Sequence, residues 1–309
     1  MQEFAQLVVD GIISGSAYAV LGLGFGLIIG ITGRFHFAFA ITYTLAAYIA
    51  TTVVDDTGAP VGFAIVAGLA AAVVLGVLIE LLVYRPLTLR EPTFALLGVF
   101  VSSLGLSIAG ENVIRLIWGS SSKTLSTGYQ VHGLSVRGVT FTTLDIAYVG
   151  VLWLLVLLVW AFLRLTSRGR SVVAVRVNPE MVAVVGINPG QVYVLVFAIG
   201  SFLAGAAALL FTMRLAAAPD IGLEPTFTAF IVAFVAGLAS GPLRFAAVGL
   251  LLGLVENISR YWLSVQWSPV VIFSVLFLYV ALGPVVAERR VRFAQRKLIA
   301  AETTPAETA

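Results

Sequence analysis

Nine runs of mostly apolar residues, near positions 8–31, 36–54, 61–83, 93–117, 144–163, 190–213, 226–240, 243–264 and 269–285, occupy most of this chain. About 20 such residues in a helix cross a bilayer core. Within that core only a helix or a closed barrel satisfies every backbone donor and acceptor, and runs of this length point to helices. Hydrophobic residues make up 60% of the chain and charged residues 11%, against about 25% charged in ordinary soluble domains. The expected fold class is all-α, a polytopic membrane protein of about eight to ten transmembrane helices. The seventh run is short and ends beside Ala239-Ser240-Gly241-Pro242, so it reads as a broken or re-entrant helix.

Positive charge gathers beside particular run ends: Arg34, the Arg85 to Arg90 loop, Arg164 to Arg176, and the tail with Arg289, Arg290, Arg292, Arg296 and Lys297. Cytoplasmic loops carry the excess of Lys and Arg. The N-terminus and the Asp55 to Pro60 turn are then expected outside, and the C-terminus in the cytoplasm. The net charge of +3 reports this topology in a lipid setting and implies no nucleic acid partner. Residues 1–10 hold Glu3 and Asp10 but no Lys or Arg, the wrong start for a cleavable signal peptide, so the first helix is expected to be kept. The absence of cysteine excludes disulfides, thiol catalysis and Cys-held metals. Residues 119–143 are the sizeable extracytoplasmic insertion, expected to cap the outer mouth with a short strand at Leu134 to Phe141. Residues 1–297 read as one transmembrane domain, and the Ala/Thr/Glu-rich tail 298–309 as a disordered cytoplasmic extension.

Small residues recur at four-residue spacing: Gly11 with Gly15, then Gly22, Gly26 and Gly30, and later Gly249 with Gly253. Such rows let helix backbones approach closely where lipid supplies no hydrophobic drive. They fit either intramolecular packing or a moving seam.

Between the fifth and sixth runs lies a polar, cation-bearing island, residues 164–191. Asn178 followed by Pro179 and Glu180 is a helix start: a side-chain acceptor, a ring that pre-sets the first helical φ, and an anion at the positive end of the dipole. Gly186 stops that helix after about two turns, roughly 10 Å, with Met181, Val184 and Val185 on one side. Asn188-Pro189 repeats the start signal at the head of the next run. A helix this short is not stable alone. Held between two membrane spans, with an apolar stripe and the basic flanks Arg170 and Arg176, it is expected to present the stripe to another protein.

Ionisable residues are few. His36 lies beside Arg34 and is either a satisfied buried histidine or part of a path. Glu80 and Arg85 flank one helix end and read as a structural pair. Glu111 with Arg115 and Glu256 with Arg260 are i,i+4 pairs that meet on one helix face. Asp220 and Glu224 lie in an outer loop. No clustered carboxylates, His/Asp sets or Ser/His sets suggest catalysis or a metal site.

Together these motifs resemble the permease subunits of the branched-chain amino acid, or Liv-type, ABC importers. Gly15-Ser-Ala-Tyr-Ala-Val-Leu-Gly-Leu-Gly24, running to Ile31, is similar to that family's first helix, and Glu80 with Tyr84-Arg85-Pro86-Leu87 to its Glu…Tyr-Arg-Pro-Leu segment. Gly169-Arg170, Ala174, Asn178-Pro179-Glu180 and Gly186-Ile187-Asn188 follow its cytoplasmic loop without a gap. Ala236-Gly237…Ser240-Gly-Pro242, leading to Gly253 and Glu256, is similar to a degraded Gly-Gly-x-Gly-Ser-x-x-Gly element. The resemblance extends to about Pro284.

Two positions depart from the family pattern. His36-Phe37-Ala38-Phe39-Ala40 stands where the family has Asn-Phe-Ala-His-Gly, and Val173 replaces an arginine. The first change makes that wall more apolar and aromatic, favouring a leucine-like, aliphatic or aromatic acid over urea or a short polar amide. The resemblance implies a permease without cofactor or ATP site, in keeping with the missing Gly-x-x-x-x-Gly-Lys-Ser/Thr loop. It further implies cytoplasmic ATP-binding subunits, a second homologous permease and an extracytoplasmic solute-binding protein. On this reading Arg170, Arg176, Asn178, Pro179, Glu180, Met181, Val184, Val185 and Gly186 couple to the ATPase, and Tyr18, His36, Phe37, Phe39 and Tyr43 lie along the translocation path. The rival class is an ion-coupled secondary transporter, which needs an acidic residue or broken helices at mid-membrane; Asp and Glu here sit almost entirely at run ends.

Overall fold

The structure, a computed structural model, describes residues 2–90, 94–125, 132–136 and 138–281. The 298–309 tail and the arginines from Arg289 onward lie outside them. Helix α1 (Gln2–Thr32) is followed by α2 (Phe39–Thr57), α3 (Val61–Ile79), α4 (Arg85–Arg90) and α5 (Ala95–Trp118). A hairpin of β1 (Gly133–Val136) and β2 (Val139–Thr142) leads to α6 (Thr143–Leu165), α7 (Ser167–Val177), α8 (Pro179–Val184) and α9 (Pro189–Thr212). Next come α10 (Leu223–Ala236) and α11 (Pro242–Ser259), then α12 (Val265–Ala281).

Among the described residues, six helical stretches are long and apolar enough to cross a membrane: α1, Val61–Arg90, α5, α6, α9 and α11. The 19-residue α2 and the shorter apolar α10 and α12 account for the remaining runs read from the sequence. Helix α10 has 14 residues, about 21 Å at the helical rise, too short for a core of roughly 30 Å. It ends where Gly237 adopts φ +86. The short seventh run is thus a broken element.

Helix α1 is the axis of the bundle, its residues from Ala19 to Ile29 all buried. The glycine rows explain how neighbours reach it. A Cβ on Gly253 would stand 2.3 Å from Gly15 Cα, and one on Gly249 would stand 2.4 Å from Ala19 N, so α11 lies backbone to backbone on α1. On the α10 side, a Cβ on Gly22 would meet Val232 Cγ1 at 2.2 Å. Of the two readings of these rows, the structure displays close packing within the chain.

Three local expectations are corrected. The Arg85 to Arg90 loop is helical: α3 runs through a π turn, Glu80–Tyr84, into α4. Pro86 would clash with a carbonyl four residues back in a regular helix, and the π turn, where Arg85 N–H reaches Glu80 O, widens the ladder just before it. The second run begins as a non-helical break over residues 33–38, with Gly33 at φ +68, and its helix starts only at Phe39. The single short strand is a two-stranded hairpin with Leu134 opposite Phe141 and Gly138 at φ +84. The hairpin is pinned to α1, since Thr140 N–H donates to Gln6 Oε1 at 2.8 Å and Gln6 Nε2 donates to Thr140 O at 3.0 Å.

The two ends of the bundle differ in charge balance. At the end holding β1 and β2, cations are paired: Arg115 with Glu111 at 2.6 Å, Arg260 with Glu256 at 2.7 Å, Lys123 with Asp55 at 3.5 Å, and Arg214 with Asp145. At the opposite end, among the described residues, Arg164, Arg168, Arg170, Arg176 and Arg244 have no carboxylate partner.

Candidate functional site: a short helix at the basic end

Thr166 ends α6 and caps α7, its hydroxyl accepting from Gly169 N–H at 2.9 Å. Gly169 is needed there, because a Cβ would fall 2.1 Å from Phe162 O. Helix α7 therefore turns back directly against the end of α6. Its far end is tied to the segment before α11 by Arg176 Nη1, which donates to Ser240 O at 3.1 Å.

Asn178 then starts α8 in extended backbone, φ −156 and ψ 100. Its Oδ1 accepts from the N–H groups of Glu180 and Met181 at 3.1 and 3.0 Å, and Pro179 occupies the first turn. The other end is closed by Gly186 at φ +88. Gly186 N–H donates to Ala183 O at 3.0 Å and Ile187 N–H to Val182 O at 3.2 Å, the paired bonds of a Schellman stop. Asn188 repeats the cap for α9, accepting from Gly190 N–H at 2.9 Å. A six-residue helix is thus fixed at both ends by side chains and turns.

Val182 is buried and roots α8 on the bundle, while Met181, Val184 and Val185 are 67%, 84% and 74% exposed. Pro179, Glu180 and Arg170 are exposed and Arg176 is half-buried. The structure therefore gathers Pro179 to Val185 as one small projecting helix with a bare apolar face, while Arg170 and Arg176 stay on α7, Arg176 turned towards Ser240. Burying such side chains yields about 2 kcal/mol each, enough for a docking contact but not for a lone helix.

The residues read as a path separate into two groups. Tyr18 and Tyr43 line a cavity of about 190 Å³ together with Tyr148, Arg214 and Glu224, and Tyr18 Oη donates to Glu256 Oε2 at 2.7 Å. His36, Phe37 and Phe39 lie in a closed aromatic core. Phe25 meets the rings of Phe37 and Phe39 edge-on, both at 5.9 Å, and Phe197 lies 5.0 Å from His36. His36 Nδ1 is 3.0 Å from Tyr84 Oη, and its Nε2 has no partner among the described residues.

Glu80 pairs with Arg34, not with Arg85 as the sequence spacing suggested. Arg85 is exposed, whereas the break after α1 turns Arg34 inward, where its guanidinium also lies 5.2 Å from the Tyr193 ring centre. Sequence reading also missed α7 as a helix, and the pairing of Asp145 with Arg214. Thr142 and Asp145 form a capping box at the head of α6; a Thr-x-x-Asp pattern before an apolar run could have signalled that start.

A family model described as "Branched-chain amino acid transport system / permease component" matches residues 7–281. The high-affinity branched-chain amino acid transport system permease protein LivH of Escherichia coli (strain K12) is 30% identical over 294 residues, 91% of this chain and 94% of that protein. LivH of Salmonella typhimurium is 28% identical over the same shares. BraD of Pseudomonas aeruginosa, with the same transport description, is 30% identical over 295 residues, again 91% and 94%. Among solved structures, PsaBC from Streptococcus pneumoniae in complex with Fab aligns over 87% of this chain and 88% of that one at 14% identity, with a TM-score of 0.49.

Proposed function

Because the chain belongs to the branched-chain amino acid transport system permease family, we propose that it is the membrane permease of an ATP-driven importer for a branched-chain, or similar aliphatic or aromatic, amino acid. Its working partners are cytoplasmic ATP-binding subunits, a second homologous permease and an extracytoplasmic solute-binding protein. The observation that carries this reading is α8: a helix locked by Asn178 and Gly186 whose Met181, Val184 and Val185 face outward, left exposed by the described residues.

Helix α8 sits in a groove of the ATP-binding subunit. Closure of the ATPase pair then pushes α8, and the push passes through α7 to α6 and through Asn188 to α9. On this reading the basic end faces the cytoplasm, with the N-terminus and the hairpin outside the inner membrane and the C-terminus inside; the arginines there that lack a carboxylate partner among the described residues support that orientation. Residues 164–191 form the coupling loop and 119–143 the outer cap. Tyr18 and Tyr43 face the solute first, and His36, Phe37 and Phe39 line its way once the helices shift. That apolar wall and the branched-chain amino acid transport of the relatives support an aliphatic solute.

Met181→Asp and Val184→Asp test this in the assembled transporter. Uptake and solute-stimulated ATP hydrolysis are expected to fall while the subunit still inserts. Undiminished stimulation and uptake in both variants would overturn the reading.

A further inference from the structure

At the basic end, where α6 and α7 part from the start of α11 over the end of α1, lies a recess of about 410 Å³. Leu27, Ile31 and Trp160 furnish an apolar wall, Arg164, Arg176 and Arg244 line the same space, and among the described residues no Asp or Glu does. None of these arginines pairs with a carboxylate among the described residues. Two are held in position without being neutralised: Arg176 by its bond to Ser240 O at 3.1 Å, and Arg164 by its guanidinium 5.4 Å from the Trp160 ring centre. The recess is also bounded by Gly241 and Leu243, at the head of the 18-residue α11, which no side chain caps. Pro242 carries no N–H and Arg244 N–H is already bonded to Gly241 O at 3.0 Å, so what this helix start adds to the recess is the positive end of its dipole.

Three unpaired cations and a helix start call for an anion, while the wall between them calls for hydrocarbon. We propose that this recess is a binding site for an anionic phospholipid, such as phosphatidylglycerol, of the adjoining leaflet. The phosphate oxygens accept from the arginines at the head of α11, and an acyl chain lies along Leu27 and Ile31. Basic pockets between membrane helices suit such head groups. The site goes beyond the transport reading and does not depend on it, and no residue of α8 lines it.

Native mass spectrometry of the full chain, released from nonionic detergent after titration with phosphatidylglycerol, phosphatidylcholine or inorganic phosphate, tests this. One phosphatidylglycerol is expected to stay bound while phosphatidylcholine leaves. Arg164→Gln with Arg244→Gln is expected to weaken retention about 25-fold, roughly fivefold per arginine, and Arg168→Gln, outside the recess, to leave it unchanged. Leu243→Trp, which fills the recess from its half-exposed rim and keeps every charge, is expected to expel the lipid even if the double variant fails to fold. The proposal is overturned by equal retention of the two lipids, by equal loss in the double variant and Arg168→Gln, by undiminished binding in Leu243→Trp, or by displacement of the lipid with inorganic phosphate alone. It is also overturned if lipid is absent from the recess in the assembled transporter because a segment of the ATP-binding subunit fills it.

Discussion

Arg34 and Glu80 meet in an ion pair whose side chains are only 8% and 1% exposed, joining the break after α1 to the π turn after α3. Removing one partner leaves the other charge buried alone, at a cost of about 3–5 kcal/mol. Glu80→Gln and Arg34→Met are each expected to lower the thermal midpoint in detergent markedly, and Arg34→Met with Glu80→Leu to lower it less than either. A double variant as unstable as the sum of the two single changes would contradict the pairing.

The backbone approach of α11 to α1 makes a second prediction. Gly253→Ala drives a methyl group into Gly15 Cα, and overpacking of this kind costs about 1–3 kcal/mol. Gly150→Ala on α6, where a Cβ meets nothing within 4 Å, serves as control. Thermal melts should separate the two, and equal midpoints would argue against the close seam.

Rigidity of α8 can be varied without touching its apolar face. Asn178→Ala removes the acceptor of two N–H groups, about 1 kcal/mol of helix stability. Gly186→Ala strains a residue at φ +88 by about 1–2 kcal/mol. Both are expected to depress uptake by the reconstituted transporter while leaving the thermal midpoint of the bundle nearly unchanged. Full uptake in both variants would mean that a fixed helix is not required.

Phe39→His inserts a polar ring into the aromatic core at a position with no solvent exposure. Relative uptake is expected to move from leucine towards more polar amino acids. An identical uptake profile for a set of amino acids would remove Phe39 from selectivity.

The membrane class, the apolar helices and the caps at Asn178, Gly186 and Asn188 were legible because each depends on local chemistry: run length, a side-chain acceptor, a positive φ. The i,i+4 pairs Glu111 with Arg115 and Glu256 with Arg260 were legible for the same reason. The partner of Glu80 was not, because Arg34 reaches it across the fold and sequence spacing favoured Arg85. Nor was the burial of Phe37 and Phe39, since an aromatic residue at a helix start suits an open wall and a closed core equally. The π turn escaped because a proline in an apolar run ordinarily marks a helix end.

Docking of α8 can be measured directly, because the chain has no cysteine and one introduced thiol can be labelled alone. Val184→Cys carrying a short photo-cross-linker is compared, in the assembled transporter, with Leu154→Cys on the exposed flank of α6. The account predicts an adduct between position 184 and the ATP-binding subunit, and none from position 154. An adduct-free position 184 in a transporter that still hydrolyses ATP and imports solute would contradict it.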